Sequence, residues 1–353
     1  MSSYTVPRGL PADKFFADLP SDATEVRFSE SSSYPRSEGD IKLPRGMIVI
    51  DGCGASMNLG PDSNGFTNGI EDQEAAMRNI ESRYTIKNFD KITGGKYAVK
   101  INATIGSEIQ GCELVTQSEC AIEMRFAMLS KVENVKITNP LKNGIYLGDG
   151  DWQGSTWANS ASNSSLLERV RVYNRATSNR AFEIRQSNNV RMLNCVSEGG
   201  GPDYDLVLSC GNEQESKPAG NSVVKGFVCD GFHVEHPDDK PSRTASVLMN
   251  MPSAVPTTFR QCYWNGRPKT PIFEYVWGML LLKEIGWWTP DHIIASRVGS
   301  PHIRIRNSHK DLDLAPDRAV RNNRCGVFAF SRTPLDGFKG LNVMYVYAGL
   351  FNN

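Results

Sequence analysis

One feature constrains this sequence more than any other: a two-part unit that recurs through most of its length. Each unit has a short run of alternating apolar and polar residues, a polar corner, and a second alternating run. The second run reads YAVKI, AIEM, GIYL, AFEI, DLVL, SVLM and IFEY between residues 97 and 275. Its apolar positions fall two apart: Val99 and Ile101, Ile122 and Met124, Ile145 and Leu147, Phe182 and Ile184, Leu206 and Leu208. The first run reads RYTIKN, GSEIQG, ENVKITN, ERVRVYN, NNVRMLN and NSVVKG, closing on Asn88, Gly111, Asn139, Asn174, Asn194 and Gly226. A period of two marks strands buried on one side, not helices.

The bare spacing is about 20 to 24 residues, as from Val170 to Val190 and from Ile122 to Ile145. Asn-Gly hairpin turns do not join the runs systematically, which disfavours a meander. Short strands at a fixed period suit a solenoid whose rungs stack in parallel. Asn at a corner tolerates left-handed backbone angles, and its amide can bond to the Asn of the next rung as a ladder.

From about Met47 to about Tyr275 these rungs resemble the right-handed parallel β-helix superfamily, the pectate-lyase-like proteins that include many phage tailspikes. IVIDGCGASMNLG (48–60) resembles an opening rung. NGFTNGIEDQEAAMRNI (64–80) resembles a degraded form of the short capping-helix region those families carry. The fold class expected is all-β: a right-handed, single-stranded parallel β-helix over 46–307. An extended N-terminal arm over 1–45, rich in Pro, Ser and Asp, precedes it. A short, apolar C-terminal β segment over 308–353 follows.

Composition excludes several functions. Lys plus Arg equals Asp plus Glu at 39 each, so the chain lacks the basic surplus that nucleic-acid binding needs. No apolar run approaches the roughly 20 residues of a membrane helix, so no membrane insertion is expected. The N-terminus, MSSYTVPRGLPADKFF, lacks the order of a signal peptide, which points to folding in a cytoplasm. The eight cysteines are scattered without a C-x-x-C pair and read as small buried apolar residues. Neither a cofactor nor a metal is expected. In HVEH (233–236) the two histidines would face opposite sides of a strand.

Solenoid insertions map to loops on one face. Three follow second runs: 148–165, 209–221 and 236–244, the first two leaving from equivalent points. The first carries Trp152 and Trp157 in a polar setting, read as a platform for a sugar ring or a partner's apolar surface or, failing that, as side chains folded over the coil below or buried at a subunit interface. Outward positions of the second runs form one column, Lys100, Glu123, Tyr146, Glu183 and Val207. A second column, two residues on, holds Asn102, Arg125, Gly148, Arg185 and Ser209. Glu123 and Glu183 are the candidate catalytic pair, two rungs and so about 10 Å apart, slightly beyond the inverting-glycosidase window. Asp149 and Asp151 are alternative carboxylates. Tyr146, Arg125, Arg185, Trp152 and Trp157 are candidate ligand-binding residues. The bland alternative is a set of solvated ion pairs. The Gly-His-Gly element of polygalacturonase-like relatives is absent, and RIRN (304–307) reads as lying outside the repeats.

The terminal segment is too apolar to stand free, which suggests pairing in a homotrimer or, failing that, folding back as an intramolecular cap. The function expected from the resemblance is that of a bacteriophage structural protein on the virion. It would be a trimeric spike held to other virion proteins by residues 1–45 and contacting host surface polysaccharide. The alternatives are a polysaccharide-cleaving hydrolase or lyase, and a purely structural capsid component.

Overall fold

A computed structural model describes residues 2–150, 152, 161–175, 177–209, 224, 226–236, 246–250 and 257–265. It also describes the backbone of strands at 273–277, 279–283, 286–288, 303–305, 326–330 and 343–347. Nearly every element is a strand, and neighbouring strands pair in parallel. Among the described residues no helix is long and apolar enough to cross a membrane.

One coil shows the plan. It runs along a front face (Tyr97–Ile105), turns into a second face (Glu108–Gln110), and turns again into a third (Glu113–Val115). The next coil repeats it with Cys120–Met128, Lys131–Glu133 and Lys136–Thr138. Cys120 pairs with Tyr97, Lys131 with Glu108 and Lys136 with Glu113, so all three faces advance along the chain by the same step. The chain is thus a solenoid of stacked three-faced coils.

The front-face register is the one the alternating runs imply. Val99, Ile122, Ile145, Phe182, Leu206 and Val247 form one inward column. These residues are fully buried and belong to one continuous core running from Val6 to Cys262. Burying each such side chain stabilises the fold by about 1.5–3 kcal/mol relative to exposure.

The other two faces correct the shortest expected period. Leu167 pairs with Met192 and Val172 with Ser197, so one full coil here is longer than the step from Val170 to Val190. That shorter step matched the start of a third-face strand (Arg171–Asn174) to the start of a second-face strand (Arg191–Leu193). Both faces carry short x-apolar-x triplets only a few residues apart, so skipping one face gives a false repeat.

The bend between second and third faces uses one residue per coil in the left-handed region: Asn88, Gly111, Asn134, Arg169, Asn194, Gly231 and Gln261, with φ between 51° and 69°. The left-handed role expected of Asn88, Asn139 and Asn194 is seen. The amide ladder is not, because Asn alternates in this column with Gly, Arg and Gln. Asn134 Oδ1 instead accepts from Arg169 Nε at 2.6 Å. Asn174 points inward, where its amide donates to Ser197 Oγ at 3.0 Å. After this bend comes an inward column of Phe89, Cys112, Val135, Val170, Cys195, Phe232 and Cys262, all buried. Cysteine takes the place of Val or Phe there, and burial raises the Cys112 and Cys195 thiols to about 12, which keeps them inert.

The extended arm expected over 1–45 is corrected. Ala23–Arg27 and Ser33–Ser37 pair in parallel with Met47–Leu59, and Ile41–Lys42 pairs with Phe66–Thr67. Helix α1 (Ala12–Ala17) buries Ala12 and Phe16 in the main core, with Ala12 N donating to Ser37 Oγ at 3.1 Å. These residues are the solenoid's first coils, and 48–60 is not its opening rung. Pro35 and the irregular spacing of the apolar residues hide this in sequence.

At the other end Ile303–Ile305 pairs with Phe273–Trp277, so RIRN begins inside a rung rather than beyond the repeats. Gly326–Phe330 continues one sheet in parallel and pairs antiparallel with Val343–Tyr347.

Candidate functional site

The outward side of the front face carries the columns as aligned above: Lys100, Glu123, Tyr146, Glu183 and Val207 lie in register, as do Asn102, Arg125 and Gly148, and Arg185 and Ser209. Gly148 and Ser209 therefore begin their insertions at the same register position. Their environment differs from a solvated face. Glu123 and Glu183 are buried, 5% and 1% exposed. Each is gripped by the Arg two residues on: Arg125 Nε lies 3.1 Å from Glu123 Oε1, and Arg185 Nε donates to Glu183 Oε1. Arg180 adds a contact to Glu183 at 2.5 Å.

Tyr146 stands between the two pairs. Its ring lies over Gly148, where a Cβ would come within 2.8 Å of the hydroxyl and 2.9 Å of ring carbons, so a side chain there would push the ring aside. The Arg125 and Arg185 guanidinium carbons sit 4.7 and 5.7 Å from the ring centroid. Its hydroxyl donates to Asp149 Oδ1 at 3.2 Å. Burial first, and then the Asp149 charge, holds this phenol well above its ordinary value. The Arg–Tyr–Arg stack separates Glu123 from Glu183, so the expected catalytic pair does not converge on one point.

What does converge lies one rung earlier. A pocket of about 360 Å³ is lined by Tyr97, Lys100, Asn102, Glu123 and Arg125 from the front face, with Ile70, Glu71 and Trp152 above them. The loop carrying Ile70 and Glu71 follows Phe66–Thr67 and folds back over the face. Asn68 and Asn102 hold it there: Asn68 Nδ2 donates to Asn102 O at 2.6 Å, and Asn102 N to Asn68 Oδ1 at 3.1 Å. Asn102 Nδ2 also donates to Ile70 O at 2.8 Å. Helix α2 (Gln73–Asn79) follows, its N-terminus capped by Asp72, whose carboxylate accepts from Ala75 N at 2.7 Å.

Trp152 packs against the coil below it. Its indole N–H donates to Gln73 Oε1 at 2.9 Å, and its ring packs on a small cluster of Ala76, Ala103 and Phe126. It is folded over the coil, and the same ring forms a pocket wall. Asp151 and Trp157 lie outside the described residues, as do most of the three insertions.

Charge in the pocket is balanced. Lys100 Nζ is 2.7 Å from Glu71 Oε1 and 4.0 Å from Glu123 Oε1, so one ammonium bridges two carboxylates. Burial, with Glu123, Cys120 and Glu119 adding, pushes the Tyr97 phenol well up, so it stays protonated and can donate. The pocket offers two cations, two carboxylates and one neutral phenol. Glu71, Tyr97, Lys100, Asn102 and Gln73 join the site only through the fold. A usable signal existed for Glu71: NGIEDQ departs from the repeat at the edge from which the later insertions leave.

No protein-family model matches the chain, and no curated protein matches it. Among solved structures, the crystal structure of an alginate lyase from Paenibacillus sp. str. FPU-7 is similar at a TM-score of 0.50 and 12% identity, over 86% of this chain and 98% of that one. The catalytic domain of a GH87 α-1,3-glucanase in complex with nigerose aligns over 86% of this chain and 67% of that one, at 10% identity and a TM-score of 0.43. So low an identity makes the likeness to the lyase one of fold, and that fold is the solenoid of parallel strands described above.

Proposed function

We propose that this chain acts on a polysaccharide at the front-face pocket, cleaving an acidic glycan there, with its coils wound as a right-handed, single-stranded β-helix. The hand follows the rule for parallel strand crossovers, right-handed in about 98% of cases. The observation that carries the functional reading is the bridged set Glu71–Lys100–Glu123–Arg125 in a pocket on a rigid sheet, walled by an aromatic ring.

A glycan bearing carboxylates would exchange its own charge for those now on Lys100 and Arg125, and Trp152 and Tyr97 would offer ring surface and a hydrogen-bond donor. A fold shared with an alginate lyase is consistent with a substrate of this class. If cleavage is by elimination, the cations neutralise the sugar carboxylate, Glu71 takes the proton from the carbon beside that carboxylate, and Tyr97 protonates the leaving oxygen. If it is by hydrolysis, Glu71 and Glu123 are the carboxylate pair.

A second reading is a glycan-binding spike that does not cut. The complete pairing of each carboxylate with a cation favours it. The argument for a free anchoring arm no longer supports it, because residues 2–45 form the first coils.

A panel of acidic and neutral polysaccharides sorts these outcomes. Unsaturated products absorbing in the ultraviolet identify a lyase, and new reducing ends without unsaturation identify a hydrolase. Binding without either, lost in Lys100→Ala, supports the spike. Absence of both binding and cleavage across all the acidic glycans overturns the proposal.

A further inference from the structure

The third face carries a constellation unrelated to the front-face pocket. His233 and Glu235 are on one strand (His233–Glu235) and, two residues apart, point outward together, while His236 turns inward. Glu198 is in register with Glu235 on the preceding coil. His233 Nε2 lies 3.2 Å from Glu235 Oε2 and 3.9 Å from Glu198 Oε1, and one donor atom from each of the three falls within 4.8 Å of the others.

From these we infer a divalent-metal site of the zinc class, with His233, Glu198 and Glu235 as its three protein ligands. In a tetrahedral site with bonds of about 2.0–2.1 Å, donor atoms stand about 3.3 Å apart. Two of the three separations, 3.2 and 3.9 Å, bracket that spacing and the third is within 4.8 Å, so side-chain rotations would close the set around a metal. Two carboxylates directly opposite on adjacent strands repel each other, and an ion between them removes that repulsion.

The backbone beneath is set by the parallel pairing of Val196 with His233 and Glu198 with Glu235. The imidazole is held by stacking on Tyr263, with centroids 5.1 Å apart and 29° between planes. One nitrogen and two carboxylates suit Zn2+ or Co2+. Ca2+ takes six to eight oxygens and does not use imidazole. Three protein ligands leave room for a water, and the ion would tie two successive coils together.

HVEH in sequence shows only two histidines on opposite sides of a strand. The third ligand, Glu198, comes from the previous coil, and only the coil register brings it in.

The test is titration of the full, tag-free chain with Zn2+ against a chromophoric chelator, under reducing conditions. Visible spectra with Co2+ and circular dichroism confirm site and fold. One tight site is expected, insensitive to Ca2+. His233→Ala and Glu198→Gln should each weaken it by about tenfold or more and abolish the Co2+ bands while leaving the fold intact. Failure of the wild-type chain to take Zn2+ overturns the inference. So does undiminished affinity in both variants, since the ion would then sit elsewhere, for example on thiols.

Discussion

The front and second faces are built alike, yet their outward ion pairs behave differently. On the second face Glu133 receives Lys131 at 2.7 Å and the Arg169 guanidinium, and Arg169 also reaches Glu168 at 2.8 Å. Side-chain exposure there is 18% for Glu133 and 47% for Arg169. On the front face the corresponding figures are 1% for Glu183 and 14% for Arg185. The backbone spacing is the same, so the difference comes from what lies above. The second face meets solvent. Above the front face, the loop at 68–72, helix α2 and Trp152 cover the rungs around Glu123, and the Tyr146 stack lies against both Arg125 and Arg185. A pair that is nearly neutral for stability in water becomes a fixed structural commitment when covered.

The sharpest test removes one arginine from each face. Arg185→Ala strips one guanidinium from the buried Glu183 and leaves Arg180 beside it, and should cost about 3 kcal/mol in chemical unfolding. Arg169→Ala on the open face should cost at most about 1 kcal/mol. Equal losses would erase the contrast.

Salt gives the second test. Near 1 M NaCl the Debye length is about 3 Å, so the small cost of Arg169→Ala should vanish while that of Arg185→Ala persists.

A smaller effect is expected from Tyr146→Phe, about 1 kcal/mol at neutral pH for the lost bond to Asp149. The wild type carries a further signature at high pH. Its folded phenol is raised, so the stability tied to the neutral form is complete below the unfolded value near 10 and is lost as pH rises beyond it. The difference in stability between wild type and Tyr146→Phe should therefore shrink above pH 10. A difference constant to pH 11 would contradict the burial of this ring.

The smallest effect lies at a corner between the two faces. Leu129 sits at φ 52° and is exposed, so Leu129→Gly should stabilise by about 0.5–1 kcal/mol by relieving left-handed strain. An unchanged unfolding midpoint would mean the corner carries no strain.

Legibility followed the same division. Val99, Ile122, Ile145, Phe182 and Leu206 could be aligned from sequence because a half-buried strand must alternate, and each front strand occurs once per coil. The second and third faces carry no such signal: their triplets are short and similar, so Val170 and Val190 align in sequence although they lead into strands on different faces. The first coils leave no mark in the sequence because Val26, Phe28, Tyr34 and Ile41 follow no regular period. Glu123 and Glu183 were placed in the right column, but sequence could not show that Tyr146 would lean over Gly148 and stand between them. Trp152 was singled out for being apolar in a polar loop, and its partner Gln73 lies 79 residues away.

Alternation and corner residues by themselves determined that this chain forms parallel, stacked coils with an apolar interior, because each strand must turn its apolar side away from water. Tertiary structure alone decided which polar side chains meet. Glu71 reaches Lys100, and Glu198 reaches His233, only through coil register and loop folding. Those contacts join residues far apart in the chain, and no local rule of spacing encodes them.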